Sequence, residues 1–269
     1  MIRADGEVLF VSMDQGVVYL MKGDRAEILA TTGGMPNGVA EWSDGTLYVT
    51  QAIGRHFPPT KELTDVGGIH VVSRTGGVRW LTRDPIAPND LCFGPDGLLY
   101  CTDPTRRREA RDDGRLFRCD VRTGTAELLC SVHWYPNGIA FGPEDDAVYV
   151  VRSLERQIVR MPLDSIHSGK AEVFVQMKGF HPDGFLFDSE GNLTAAAISE
   201  GDWPGEIQTF DRSGKQIDAF VPGTSTNYTN VALGPNRELI VTDGHGGGVL
   251  KVDHWPYAGL ALHPFREKL

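Results

Sequence analysis

The chain lacks any run of the roughly 18 apolar residues that a membrane-crossing helix needs, so no membrane partner is read from it. It also lacks a basic excess. Lys and Arg number 26 against 36 Asp and Glu, a formal charge of −10, and this excludes a protein that grips nucleic acid through a basic face. The opening residues, MIRADGEVLF, contain no long apolar h-region, which argues against a secretory leader and for a cytoplasmic location. Cysteine is scarce: Cys92, Cys101, Cys119 and Cys130 are the only four, and none forms a Cys-x-x-Cys pair of the zinc-knuckle kind. Cys119 and Cys130 flank the turn Arg122-Thr123-Gly124-Thr125 and could face each other across a hairpin; the plainer reading is four half-buried thiols in strands. No G-x-S-x-G elbow occurs, which disfavours a serine esterase. The glycine clusters lack the strand–loop–helix setting of a phosphate-binding loop.

What is abundant is turn chemistry and repetition. With 32 Gly and 16 Pro, the composition favours many short strands over long helices. Five segments share one pattern: PNGVAEWSDGTLYVT (36–50), PNDLCFGPDGLLYCT (88–102), PNGIAFGPEDDAVYVV (136–151), PDGFLFDSEGNLTAAA (182–197) and TNVALGPNRELIVTD (229–243). Each opens on Asn or Asp, runs through an apolar stretch, turns at Asp, Gly or Pro, and returns through a second apolar stretch. That is the pattern of a β-hairpin. The opening residues Asn37, Asn89, Asn137, Asp183 and Asn230 lie 52, 48, 46 and 47 residues apart.

Between hairpins the chain supplies two further strand-like runs, such as Gln157–Met161 with Glu172–Gln176 and Glu206–Phe210 with Gln216–Phe220. Four strands per unit of this length is the size of a propeller blade, which buries its faces only by stacking on its neighbours. Residues 6–30 read as a sixth unit lacking its first strand. The expectation is therefore an all-β, six-bladed β-propeller of four-stranded antiparallel blades over residues 1–269, a single domain whose first blade lacks the innermost strand. The run from Val249 to Leu269 is expected to complete the circle beside the N-terminal strands.

In a propeller the innermost strand of each blade lines the central channel, and its first residue stands at one mouth. The five opening residues thus offer oxygen donors suited to calcium, magnesium or zinc. The alternative is that Pro-Asn-Gly only shapes the turn into each strand, a reading that fits Asn37 and Asn230 best. Asp183 weighs more, because a carboxylate in a partly buried channel is costly without a compensating cation or donor.

The motifs PNDLCFGPDGLLYCTDP (88–104), YPNGIAFGPEDDAVYVV (135–151) and HPDGFLFDSEGNL (181–193) resemble those of the SMP-30/gluconolactonase family of six-bladed propeller lactonases, which includes regucalcin and luciferin-regenerating enzyme. The resemblance implies one divalent metal at the channel mouth. It maps the family's Asn and Asp ligands onto Asn137 and Asp183, and a channel Asn near metal and substrate onto Asn89. A metal acting as Lewis acid on a lactone carbonyl, with Asp183 taking a proton from the attacking water, would give an open hydroxy acid.

Two departures stand out. Sugar-lactone members often carry Arg two residues before the ND-motif Asn, and this chain has Ala87 there, which argues for a lactone or ester less polar than a sugar lactone. The first-blade Glu ligand is also missing: counting back from Leu9 in the hairpin register lands just upstream of Met1, as if the natural chain began earlier. The calcium or zinc site is accordingly expected to be weak or absent in this form. His133, Trp134, Tyr135 and His181 lie just before opening residues and are candidate substrate contacts. His245 and the insertion holding His56 are weaker ones, and the 106–113 segment, rich in charge of both signs, reads as a solvated loop. Beside a metal-dependent lactonase, two other functions fit the scaffold: a propeller enzyme running a cyclisation, isomerisation or lyase step, and a non-enzymatic binding propeller.

Overall fold

The computed structural model describes residues 1–52, 67–105 and 114–265. The expectations placed on His56 with its neighbours and on 106–113 fall outside these residues. The chain forms six antiparallel sheets, the blades of a six-bladed β-propeller, and falls into two compact units. Apart from two short 3-10 turns, Ser153–Glu155 and Leu163–Ser168, the described residues carry no helix.

The first unit, chiefly residues 3–136, holds three blades. Blade one is β1 (Val8–Ser12), β2 (Val17–Lys22) and β3 (Arg25–Thr31). Blade two is β4 (Met35–Glu41), β5 (Leu47–Ala52), β6 (Gly68–Val72) and β7 (Val78–Thr82). Blade three is β8 (Leu91–Phe93), β9 (Leu99–Asp103), β10 (Gly114–Cys119) and β11 (Ala126–Val132).

The second unit, chiefly residues 137–261, holds the other three. Blade four is β12 (Pro136–Phe141), β13 (Ala147–Arg152), β14 (Gln157–Pro162) and β15 (Glu172–Gln176). Blade five is β16 (Phe180–Phe187), β17 (Leu193–Ser199), β18 (Glu206–Phe210) and β19 (Gln216–Phe220). Blade six is β20 (Tyr228–Leu233), β21 (Leu239–Asp243) and β22 (Gly248–Val252).

The composition of each strand follows its place in the blade. Second strands are covered on both faces and read as near-continuous apolar runs: every residue of β5 and β9 is buried. Last strands are covered on one side only, and β19 is almost wholly exposed. Between neighbouring blades the inner faces interlock. Tyr48 and Ile69 of blade two meet Leu91, Phe93 and Leu99 of blade three, with Phe93 4.7 Å from Trp42 and edge-on to Tyr48 at 5.5 Å. Tyr149 of blade four likewise packs edge-on against Phe187 of blade five at 4.8 Å.

The glycine that follows the openers Asn37, Asn137 and Asp183 has a packing cause. A Cβ on Gly38 would lie 2.6 Å from Asp90 Oδ1, and one on Gly138 would lie 2.4 Å from the Asp183 carbonyl oxygen. Innermost strands of adjacent blades touch there through their backbones, and only glycine leaves room. Register shifts between Pro36 and Val39 and between Pro182 and Phe185 put Asn37 and Asp183 in β-bulges, which turn the opener's side chain out of the regular pleat.

Two expectations need correction. Among the described residues the last blade, like the first, has three strands, not four. Residues 255–260 fold back on blades five and six, where Trp255 N–H donates to Arg237 O (2.8 Å) and Ser189 N–H to Ala258 O (2.9 Å), because the buried Trp255 ring packs edge-on against Phe220 at 5.9 Å. Cys119 and Cys130 do not face each other: Cys119 pairs with Ala126, Cys130 pairs with Leu116, and a bulge lies between. None of the four cysteines is in a disulfide, and three are buried. Burial pushes Cys130 up to about 11, and a hydrogen bond with Cys119 followed by burial raises Cys101 well above the usual thiol range. The first blade keeps a remnant of an inner strand, since Leu9 N–H donates to Met1 O at 2.9 Å.

Candidate functional site

The second unit brings together Asn137, Asp183 and His181. Asn137 is the second residue of β12 and is 9% exposed. Its Nδ2 donates to Ser153 Oγ at 3.0 Å. Ser153 opens the 3-10 turn that follows β13, and its own hydroxyl donates to Pro182 O at 3.0 Å, one residue before Asp183. The Ser153 carbonyl accepts from His181 Nδ1 at 2.7 Å. A carbonyl only accepts, so this bond fixes the proton on Nδ1 of His181. The other ring nitrogen, Nε2, meets Glu200 Oε1 at 3.2 Å, and Glu200 is also paired with Arg156, held in the left-handed region at φ 59°. His181 therefore spends both ring nitrogens on protein partners.

In the first unit Asn89 is half-buried and pinned by its backbone: its N–H donates to Thr102 O (2.9 Å), and its carbonyl accepts from Thr50 Oγ1 (2.6 Å) and Gly38 N–H (3.1 Å). Ala87 is buried, and Asp103, with no exposed surface, accepts from the backbone N–H groups of Ile86 (2.9 Å), Ala87 (3.0 Å) and Thr105 (2.9 Å) and from Arg115. This buried carboxylate shapes the corner that presents Asn89. His133 is exposed, whereas Trp134 and Tyr135 are in the interior. His245 sits in an exposed turn with its N–H on Asp243 (3.1 Å). A cavity of about 110 Å³ in the second unit is lined by Gly142, Glu144, Tyr149 and Gly191. It lies at the hairpin-turn ends of the strands, away from the ends that carry Asn137 and Asp183.

Sequence reasoning missed Ser153, Glu200 and Arg156. The threonines at the ends of β5 and β9, Thr50 and Thr102, do recur at one slot of the repeat; the Thr50 hydroxyl donates to the opener carbonyl Asn89 O, and the Thr102 hydroxyl accepts from the N–H of Asp90, the residue after that opener. Ser153 lies 16 residues after Asn137, a slot that Ser199 fills after Asp183 and Thr105 after Asn89, so a hydroxyl recurs there beyond the end of the quoted motifs. Among the described residues no group of three or more His, Cys, Asp and Glu could hold a metal.

The repeat, the openers and the blades have counterparts in known proteins. Residues 1–245 match the family described as SMP-30/Gluconolactonase/LRE-like region. The chain belongs to this family. Among curated relatives it is 29% identical over 225 residues to adipocyte plasma membrane-associated protein of Mus musculus, covering 72% of this chain and 52% of that one. It is 25% identical over 232 residues to gluconolactonase of Zymomonas mobilis, covering 78% and 61%. The chain thus spans about half the length of the first of these relatives and under two thirds of the second. Among solved structures, the calcium-binding protein regucalcin of Agrobacterium tumefaciens superposes with a TM-score of 0.77 at 21% identity over 99% of this chain and 92% of that one. At that identity the likeness shows the fold. No helix among the described residues is long and apolar enough to cross a membrane.

Proposed function

We propose that the protein is a hydrolase of small lactones or related esters, with Asn137 and Asp183 as its centre and a divalent cation as its cofactor. The observation that carries the reading is the junction of β12 and β16. A carboxamide and a carboxylate stand on two innermost strands whose backbones touch, at 2.4 Å from a Cβ placed on Gly138, and a single buried serine hydroxyl ties both strands together.

The donor set fits a hard cation in kind. Asn137 Oδ1 and the Asp183 carboxylate are oxygen ligands, and one carboxylate with water filling the remaining positions suits a calcium- or magnesium-like ion held loosely. Such an ion, when bound, would polarise an ester carbonyl and make a bound water more acidic. Asp183 then supplies a carboxylate oxygen to take the proton of the attacking water as its oxygen adds to the carbonyl carbon. The ring C–O bond breaks, the leaving alkoxide takes a proton, and the product is a hydroxy acid. His181 borders this region as a fixed wall whose ring nitrogens are already engaged. With the buried Ala87 at this position the chain lacks the five donors of an arginine there, which favours a substrate poorer in hydroxyl groups than a sugar lactone.

The test is a panel of aliphatic, aromatic and sugar lactones and aryl esters, assayed after EDTA treatment and after adding back calcium, magnesium, manganese or zinc. Hydrolysis that returns with metal, prefers less polar lactones and disappears in Asp183→Ala is the expected result. No turnover of any lactone or ester with any of these ions overturns the reading, and full activity of Asp183→Ala removes the assigned base.

A further inference from the structure

We infer that the cavity between the hairpin turns of blades four and five is a binding site for one uncharged aromatic ring of phenol size. It lies at the strand ends away from Asn137 and Asp183 and is independent of the proposed centre. The same place between blades two and three shows what fits, because there the chain fills it with a ring of its own. Trp42 stands five residues after the opener Asn37, and Gly142 stands five after Asn137. Both close the same turn: Trp42 N–H donates to Thr46 O (2.8 Å), and Gly142 N–H donates to Ala147 O (3.3 Å). The surrounding slots also match. Tyr48 and Tyr149 each lie two residues beyond those acceptors. Phe93 and Phe187 each lie four residues after the next blade's opener, and Gly97 and Gly191 four further on. In blade two the Trp42 indole is 4.7 Å from the Phe93 ring and 3.6 Å from where a Cβ would stand on Gly97.

In blade four a hydrogen stands where that indole stood, and the space is the cavity of about 110 Å³. Three rings line it: Tyr149 is edge-on to Phe187 at 4.8 Å and to Phe174 at 5.1 Å. An added ring extends such edge-on and offset contacts. Tyr149 limits its size. Tyr149 Cε2 lies 2.6 Å from where a Cβ would stand on Gly142, so this ring already takes part of the place an indole on residue 142 would need. An apolar cavity of about 150 Å³ holds one benzene, so this smaller one, open to solvent, admits a single ring and not two fused ones. The rim sets the charge. Glu144 pairs with Arg212 at 3.6 Å, Asp146 pairs with Arg160, and Arg212 Nε–H also donates to Glu190 O at 2.7 Å. An ionised ligand meets its own sign and the opposite one side by side, whereas the hydroxyl of a neutral ring can point past them to water.

The experiment is a fluorine NMR titration of the full chain with fluorophenol, beside fluorobenzoate and fluoroindole, with urea unfolding of each variant run alongside. One equivalent of fluorophenol is expected to bind with a dissociation constant on the order of 1 mM. The benzoate and the indole are expected to bind at least about fivefold more weakly. Phe174→Trp puts a larger ring on a half-buried residue of the cavity wall and is expected to abolish binding. Phe174→Leu keeps an apolar wall without the ring and should weaken binding by about threefold to tenfold. Asp183→Ala should leave it unchanged. In the parent, nuclear Overhauser contacts from the ligand to the Tyr149 and Phe187 ring protons locate the site with no substitution at all. No binding by the parent up to about 10 mM, contacts to other residues, or undiminished binding by a folded Phe174→Trp protein would each overturn the site. Binding lost in Asp183→Ala would put the ring at the proposed centre and overturn it too. Tighter binding of the benzoate or the indole would overturn the ligand class.

Discussion

Gly138→Ala is the sharpest probe of how the blades meet. Gly138 is not among the residues with positive φ, so alanine has no backbone strain to pay there. The whole cost is contact. The new Cβ would stand 2.4 Å from Asp183 O and 3.3 Å from Gly184 Cα, and real Cβ atoms essentially never approach within 3.0 Å. The two strands must part by roughly half an ångström or more, and the obstacle is backbone in a neighbouring sheet rather than a flexible side-chain tip. Overpacking of this kind costs about 1–3 kcal/mol. For a chain of this size, at about 2–4 °C per kcal/mol, the melting temperature should fall by roughly 2–12 °C. Gly247→Ala is the control: nothing lies within 4 Å of its Cβ, so its φ of +66° is the sole source of strain, about 1–2 kcal/mol. Differential scanning calorimetry gives both shifts. Because the displaced strand carries Asp183, Gly138→Ala should also weaken calcium binding, and Gly247→Ala should not. A Gly138→Ala protein that melts within about 1 °C of the parent and binds calcium as well would show that β12 and β16 do not touch as described.

Asp103→Ala should destabilise by about 3–5 kcal/mol in urea unfolding, because it strands the Arg115 guanidinium and leaves three backbone N–H groups without their acceptor; a loss below about 1 kcal/mol would refute the corner role. Stability should also fall as pH drops below about 6.5, in part through His70, whose pKa burial lowers. The unfolded chain binds the His70 proton more readily than the folded one, so this contribution is complete above the ordinary value and is lost as pH falls towards the lowered one. His70→Gln should flatten the slope of the urea midpoint between pH 7.5 and 5, and an unchanged slope would exclude His70 as a source.

Much of the fold is legible because its information is local. Strand runs such as Glu172–Gln176 and Glu206–Phe210 are observed with the bounds read from the sequence, since period-two patterning and Asp-Gly turns act within a few residues. Repetition then turned five similar hairpins into blades. Asn137 and Asp183 stand out in the sequence for the same reason, as candidates: each fills a slot that recurs, and the carboxylate at one of them breaks the pattern. Packing between distant segments decided the rest. Ser153 becomes a joint of the site only because the end of one blade's second strand meets the first strand of the next. Glu200 and Arg156 gain their roles by closing on His181 across loops. Trp134 and Tyr135 went inside, and Trp255 drew residues 255–260 back onto blades five and six, because burying a large ring outweighs the direction in which the chain happens to be heading. Such contacts join residues tens of positions apart, and no local pattern encodes which strand ends will meet.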